Sequence, residues 1–322
     1  MSTGNATVPT AHAPALLSDK EVPGASGAER GPVRRLAVVG LGLIGASVAL
    51  AVRQHMPHVR VIGVDQSQAV AEAAVAAGVV DEVLPDIAAA AATADLLLLA
   101  VPVRALPCLL QALVPPAQEF AGRNVVVTDV GSTKVRLLEV AASLFGTAPA
   151  WLVPGHPLAG SERSGWAAGR ADLFTNRRVL LCPTESNAAA LQAVRAFWVA
   201  LGAQVEAMPA ALHDVLLAQT SHLPHMLAFA LVDALIDVTP AASLFRYSGG
   251  GFRDMTRLAG SDAVMWRDIA LDNQQPLLAA LDTLMARLAA LRSDVAGADG
   301  AALQARFERA KRARDDHLSA SD

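Results

Sequence analysis

Apolar positions along this chain fall into two regimes. Up to about residue 207 they come in short unbroken runs, at 35–40, 59–64, 95–101, 124–129, 177–182 and 204–206. Between most of these runs lie Ala- and Leu-rich stretches of helical length, at 48–54, 67–77, 103–113 and 188–201, the second stopped by Gly78 and the last by Gly202. Continuous apolar strands alternating with helices predict a parallel sheet covered on both faces. From His213 onward the strand signals fade, and long helical patterns take over. A heptad-like apolar repeat runs from Gln275 to Leu291, and the last stretch is a charged helix. The expected organisation is an α/β Rossmann-type domain over 33–200, followed by an all-α domain over 201–322 whose surplus apolar faces suit a homodimer. Residues 1–32, rich in Ala, Pro, Gly, Ser and Thr, are expected to be a disordered leader.

Composition narrows the class. The 322 residues carry a formal net charge of -4 without long charged runs, which argues against a nucleic-acid partner. The apolar stretch 36–52 is broken by Gly40, Gly42 and Gly45, so a strand, turn and helix explain it better than a membrane span. Cys108 and Cys182 lie in neither a redox nor a zinc spacing, which points to a reducing, cytoplasmic setting. No metal site is expected, because the His pair at 222 and 225 has no Glu or Cys arranged beside it.

The chemistry-bearing residues gather in a few polar clusters. The first predicted strand runs straight into GLGLIGAS at 40–47. There Gly40 makes the tight turn, Gly42 lets a pyrophosphate approach the backbone, and Gly45 lets helix and strand pack closely. Leu43 and Ile44 offer the N–H groups of the new helix, Asp65 ends the second strand, and Val101-Pro102 end the third. An acidic Asp65 accepts hydrogen bonds from a ribose and repels a 2′-phosphate, so NAD is expected rather than NADP. DVGSTK at 129–134 sits at the carboxyl end of a strand, where open α/β sheets bind ligands; Ser132 could also cap the following helix. PGHPLAGSERSG at 154–165 reads as a shaped loop carrying His156 and Glu162. Further on come HD at 213–214, SHLPH at 221–225, GGFRDMTR at 250–257 and Trp266. Glycines ahead of a helix with two Arg residues make an anion cradle.

Together these motifs resemble the prephenate/arogenate (cyclohexadienyl) dehydrogenase family, over roughly residues 33–295. The resemblance implies NAD-dependent oxidative decarboxylation of prephenate or arogenate in tyrosine biosynthesis. It implies that His156 accepts the proton of the ring hydroxyl and that Ser132 holds that hydroxyl in register. It places Arg257 on a substrate carboxylate, His225 along the pocket, and Glu162 as a gate. Gly250 would lie where tyrosine is sensed in feedback inhibition, and Trp266 near the pocket from across the dimer. Two alternatives compete with it. A two-domain dehydrogenase of the 3-hydroxyacid type would need a lysine in the helical domain, and none stands between Lys134 and Lys311. A non-catalytic dinucleotide sensor would have no use for a convergence of His156, Ser132 and Arg257.

Overall fold

The computed structural model describes residues 33–160, 163–237 and 240–318. The expected leader, and Glu162, lie outside the described residues. Six strands form one sheet: β1 (Arg35–Val39), β2 (Arg60–Val64), β3 (Glu82–Val83), β4 (Leu96–Leu99), β5 (Val126–Asp129) and β6 (Leu152–Val153). Their order is β3-β2-β1-β4-β5-β6, and every pairing is parallel. Side chains alternate between the two faces, so Leu36 and Val38 enter one apolar cluster while Ala37 and Val39 enter the other. That is why the strands needed continuous apolar sequence. Helices Leu43–His55 and Ala188–Ala200 supply the first cluster; Leu106–Ala112 and Val135–Phe145 supply the second.

The order reverses between β1 and β4, and the turns leaving these strands face each other there. Gly40 has φ +94°, and a Cβ on it would sit 2.4 Å from the Ala100 carbonyl oxygen. Ser67 caps the helix Gln68–Ala76 with its side chain. The run 103–113 is less regular than expected: a 3₁₀ turn at Val103–Ala105 precedes the α-helix Leu106–Ala112.

A second, smaller sheet carries β7 (Gly155–Pro157), β8 (Arg178–Leu181) and β9 (Gln204–Ala207), with β7 antiparallel and β9 parallel to β8. The stretch around His156 is therefore a short strand at its start, not only a loop. Pairing of His156 with Leu180 supplies the order that Gly and Pro conceal. β9 also carries the sheet-bearing part past the boundary expected between Ala200 and Leu201.

The remainder is helical. A nearly continuous run from Ala210 to Ile236 passes through a π-helical turn at Ala218–His222. By length and composition this run alone among the described residues could cross a membrane. Here its His213 and Asp214 bond to the α/β part, and His222 and His225 lie against Trp266. Helix Gln274–Ala296 leaves Leu278, Met285, Leu288 and Val295 exposed at heptad spacings, an apolar face left uncovered among the described residues.

Candidate active site

β5 ends in Asp129, whose side chain organises the turn that follows. Its carboxylate accepts from the backbone N–H of Gly131 (2.8 Å) and of Gly155 (3.0 Å), and it pairs with the Lys134 ammonium. Lys134 also donates to the Gly155 carbonyl at 2.8 Å, and both side chains of the pair are completely buried. The ion pair thus clamps the strand bearing His156 onto the carboxyl end of the main sheet. Gly155 is required at the clamp, because a Cβ would lie 2.9 Å from the Asp129 carbonyl oxygen.

Ser132 does not cap the helix Val135–Phe145. Asp214, from the helical part, caps it instead, its carboxylate accepting from Lys134 N and Val135 N, each at 2.9 Å. A negative group at a helix N-terminus also complements the helix dipole. The same carboxylate accepts from His213 Nδ1 at 2.8 Å, and His213 Nε2 lies 2.9 Å from His156 Nδ1. Asp214, His213 and His156 therefore form one chain of hydrogen bonds running from the buried interior to a part-exposed imidazole. Asn273 braces it from the next helices, donating to the Asp214 carbonyl (2.8 Å) and to His222 Nδ1 (3.1 Å). His222 Nε2 and Trp266 Nε1 are buried without a protein partner among the described residues.

Burial sets the protonation of this cluster. Desolvation pushes the His156 pKa well down, and the neighbouring His213, Lys134 and His222 push it further in the same direction. His213 is lowered by burial against the raising effect of its bond to Asp214. His222 is lowered by burial to about 4. His156 is thus a neutral imidazole near pH 7 and able to accept a proton.

A second group lies beside the first. Trp266, buried in the core, stacks on His225 of its own chain with ring centroids 3.5 Å apart, and meets His222 edge-on at 6.0 Å. Both contacts are made within one chain. The exposed Arg257 opens a 3₁₀ turn close enough to lower the His225 pKa by its charge, after the larger effect of burial. Gly250 begins the helix Gly250–Thr256 and is exposed, with open space where a Cβ would be.

At the reversal of strand order, the residues expected to hold a dinucleotide are assembled. Val101 lies beside Gly40, within 2.9 Å of the Cβ position. A Cβ on Gly45 would strike the Gly40 carbonyl oxygen at 2.0 Å, whereas one on Gly42 would meet nothing within 4 Å. Leu43 and Ile44 form the first turn of the helix, and Pro102 stays exposed after β4. Asp65 accepts from Leu41 N (2.8 Å) and Ser67 N (2.9 Å). Sequence reasoning did not foresee that His213 and Asp214 hold His156, or that Lys134 pairs with Asp129. The adjacency of His and Asp, and a lone lysine in a Gly-Ser turn, were the available signals.

Two family profiles match this chain: "Prephenate dehydrogenase, nucleotide-binding domain" over residues 48–207, and "Prephenate dehydrogenase, dimerization domain" over 209–309. Cyclohexadienyl dehydrogenase of Zymomonas mobilis subsp. mobilis is 38% identical over 285 residues, covering 87% of this chain and 95% of that protein. The chain belongs to the prephenate dehydrogenase family. Prephenate dehydrogenase of Bacillus subtilis is 34% identical over 280 residues, covering 86% of this chain and 74% of that one. Among solved structures, prephenate dehydrogenase from A. aeolicus in complex with hydroxyphenyl propionate and NAD+ aligns with a TM-score of 0.80 at 34% identity, covering 88% of this chain and 98% of that one. Synechocystis arogenate dehydrogenase aligns with a TM-score of 0.72 at 30% identity, covering 88% and 99%. The first family match begins after the glycine turn, so the reading of that turn stands on its geometry.

Proposed function

We propose that this protein catalyses the NAD-dependent oxidative decarboxylation of prephenate to 4-hydroxyphenylpyruvate, of arogenate to tyrosine, or of both. The observation that carries the reading is His156: a neutral, part-exposed imidazole clamped to the carboxyl end of the sheet in a chain of this family. In the reaction the substrate ring loses a hydride from its hydroxyl-bearing carbon and carbon dioxide from the opposite carbon, and becomes aromatic. NAD, when bound, supplies the hydride acceptor.

The residues present fit that cofactor. Gly42 leaves open space over the N-terminus of helix Leu43–His55, where a pyrophosphate meets free N–H groups. Leu43, Ile44, Val101 and Pro102 would line it. Asp65 already accepts two backbone hydrogen bonds, yet a carboxylate has about four acceptor sites, which leaves capacity for ribose hydroxyls and repulsion for a 2′-phosphate.

His156 takes the ring hydroxyl's proton as the hydride leaves, and returns it to the phenolic oxygen as carbon dioxide departs. Reactants and products balance with no net proton, so one imidazole serves both steps. Ser132, in the adjoining turn, holds the hydroxyl. Arg257 binds a substrate carboxylate, with His225 and Trp266 forming the neighbouring wall. Glu162 is proposed as the gate, and Gly250 as the place where tyrosine competes. Two chains are proposed to pair through the helical part, in support of which stand the exposed heptad positions and the matched dimerization domain. The free Cys108 and Cys182 suit a cytoplasmic setting.

The reading is tested by NADH or NADPH formation with prephenate and arogenate, each against NAD and NADP. Turnover with NAD and either substrate is expected, with NADP the poorer acceptor. Silence with all four pairs would overturn it.

A further inference from the structure

We infer that His213 and Asp214 are positioning residues that fix the tautomer of His156: Nδ1 carries the proton and Nε2 is left bare as the proton acceptor. The hydrogen-bond chain dictates this from the interior outward. An ionised carboxylate can only accept, and Asp214 is oriented independently of the histidines by the Lys134 and Val135 amides. His213 Nδ1, 2.8 Å from Asp214 Oδ1, must therefore be the donor. A neutral His213 then has no proton on Nε2, so this atom accepts from His156 Nδ1 across 2.9 Å. His156 Nδ1 is thereby committed as a donor. Its Nε2, on the far side of the ring from the buried His213, keeps the lone pair.

The arrangement has the logic of a carboxylate that orients an imidazole for base catalysis, with a second imidazole inserted as a spacer. It differs in consequence. The intermediate His213 is completely buried, so a proton arriving on His156 Nε2 can be shared inward along two hydrogen bonds toward Asp214. The groups facing His156 are His213, Lys134 and His222, with Asp214 and Asp129 behind them. Lys134 opposes protonation, and Asp214 is the anion that the chain brings into play.

This inference rests on the proposed function only for the identity of the proton that Nε2 accepts. The tautomer itself is a property of the protein alone. Two-bond 1H–15N correlation spectra of the 15N-histidine-labelled protein report it directly, with His156→Asn supplying the assignment. The wild-type spectrum is expected to show His156 protonated on Nδ1. His213→Leu removes the acceptor; the His156 proton should move to Nε2, and kcat should fall by about 10²-fold with KM for NAD unchanged. His213→Gln places an amide oxygen where Nε2 stood. It should restore the Nδ1–H form and bring kcat to within roughly tenfold of wild type. Circular dichroism checks that each variant is folded; should His213→Leu fail to fold, the wild-type and His213→Gln spectra still decide the matter. A wild-type His156 protonated on Nε2, or a folded His213→Leu with unchanged tautomer and kcat, would overturn the inference. Activity with the Nε2–H form would refute it while leaving the function intact. An Nδ1–H form without activity on prephenate or arogenate would refute the function and leave the tautomer assignment standing.

Discussion

Replacing Lys134 with methionine isolates the clamp beneath the site. The ammonium is completely buried, and the change leaves the Asp129 carboxylate equally buried with only the Gly131 and Gly155 amides, at 2.8 and 3.0 Å. It also removes the donor to the Gly155 carbonyl. Removing one partner of a buried ion pair costs about 3–5 kcal/mol, because the other charge is left uncompensated. Set against a total stability of roughly 5–15 kcal/mol, that is a large share. Guanidinium chloride denaturation followed by far-UV circular dichroism would measure it, at fixed protein concentration, since association through the helical part would make stability concentration-dependent. A double-mutant cycle with Asp129→Asn separates the pair from its surroundings: Asp129→Asn should cost less in the Lys134→Met background than alone. The variant has a catalytic consequence as well. Lys134 is one of the groups holding the His156 pKa down, so its loss raises that pKa. A base works deprotonated, and activity is lost as pH falls through its pKa. The acid limb of kcat/KM should therefore move to higher pH. A destabilisation under about 1 kcal/mol, or an acid limb moving downward, would refute the reasoning.

Two further outcomes are expected. Gly45→Ala drives a Cβ to 2.0 Å from the Gly40 carbonyl oxygen and should lower stability by about 1–3 kcal/mol, whereas Gly42→Ala meets nothing within 4 Å and should fold normally while losing NAD affinity; thermal melts and NAD titration would distinguish them. The lowered histidines also predict acid sensitivity: with a folded pKa of about 4 against an ordinary 6.5, His222 contributes stability that is fully present above pH 6.5 and lost as pH falls toward 4, up to about 3 kcal/mol. His222→Gln should flatten that part of the pH–stability curve, and an unchanged slope would exclude the assignment.

What could be read in the sequence was local. The strands of the main sheet were legible because both faces are covered, so that Leu96 to Leu99 could be nothing but apolar. The glycine turn was legible because each glycine answers to a neighbour within a few residues or to a ligand. The strand nature of Gly155–Pro157 was not, since it depends on pairing with residues 179–181. Local rules allow the nearby Ser132 to cap helix Val135–Phe145, while the structure takes the cap from Asp214, far along the chain. His213 was visible as a polar residue in an apolar helix, but its partner His156 lies on a different element. Long-range pairings, not propensities, decide these cases.

The most direct test of the proposed chemistry is to measure NADH and carbon dioxide together, from prephenate labelled in its ring carboxylate, in wild type and in His156→Asn. Wild type should release carbon dioxide in equal amount to NADH with no net change in protons, and His156→Asn should lose both products together, by roughly 10²-fold or more, while still binding NAD. NADH formation without carbon dioxide, or a His156→Asn variant as active as wild type, would contradict it.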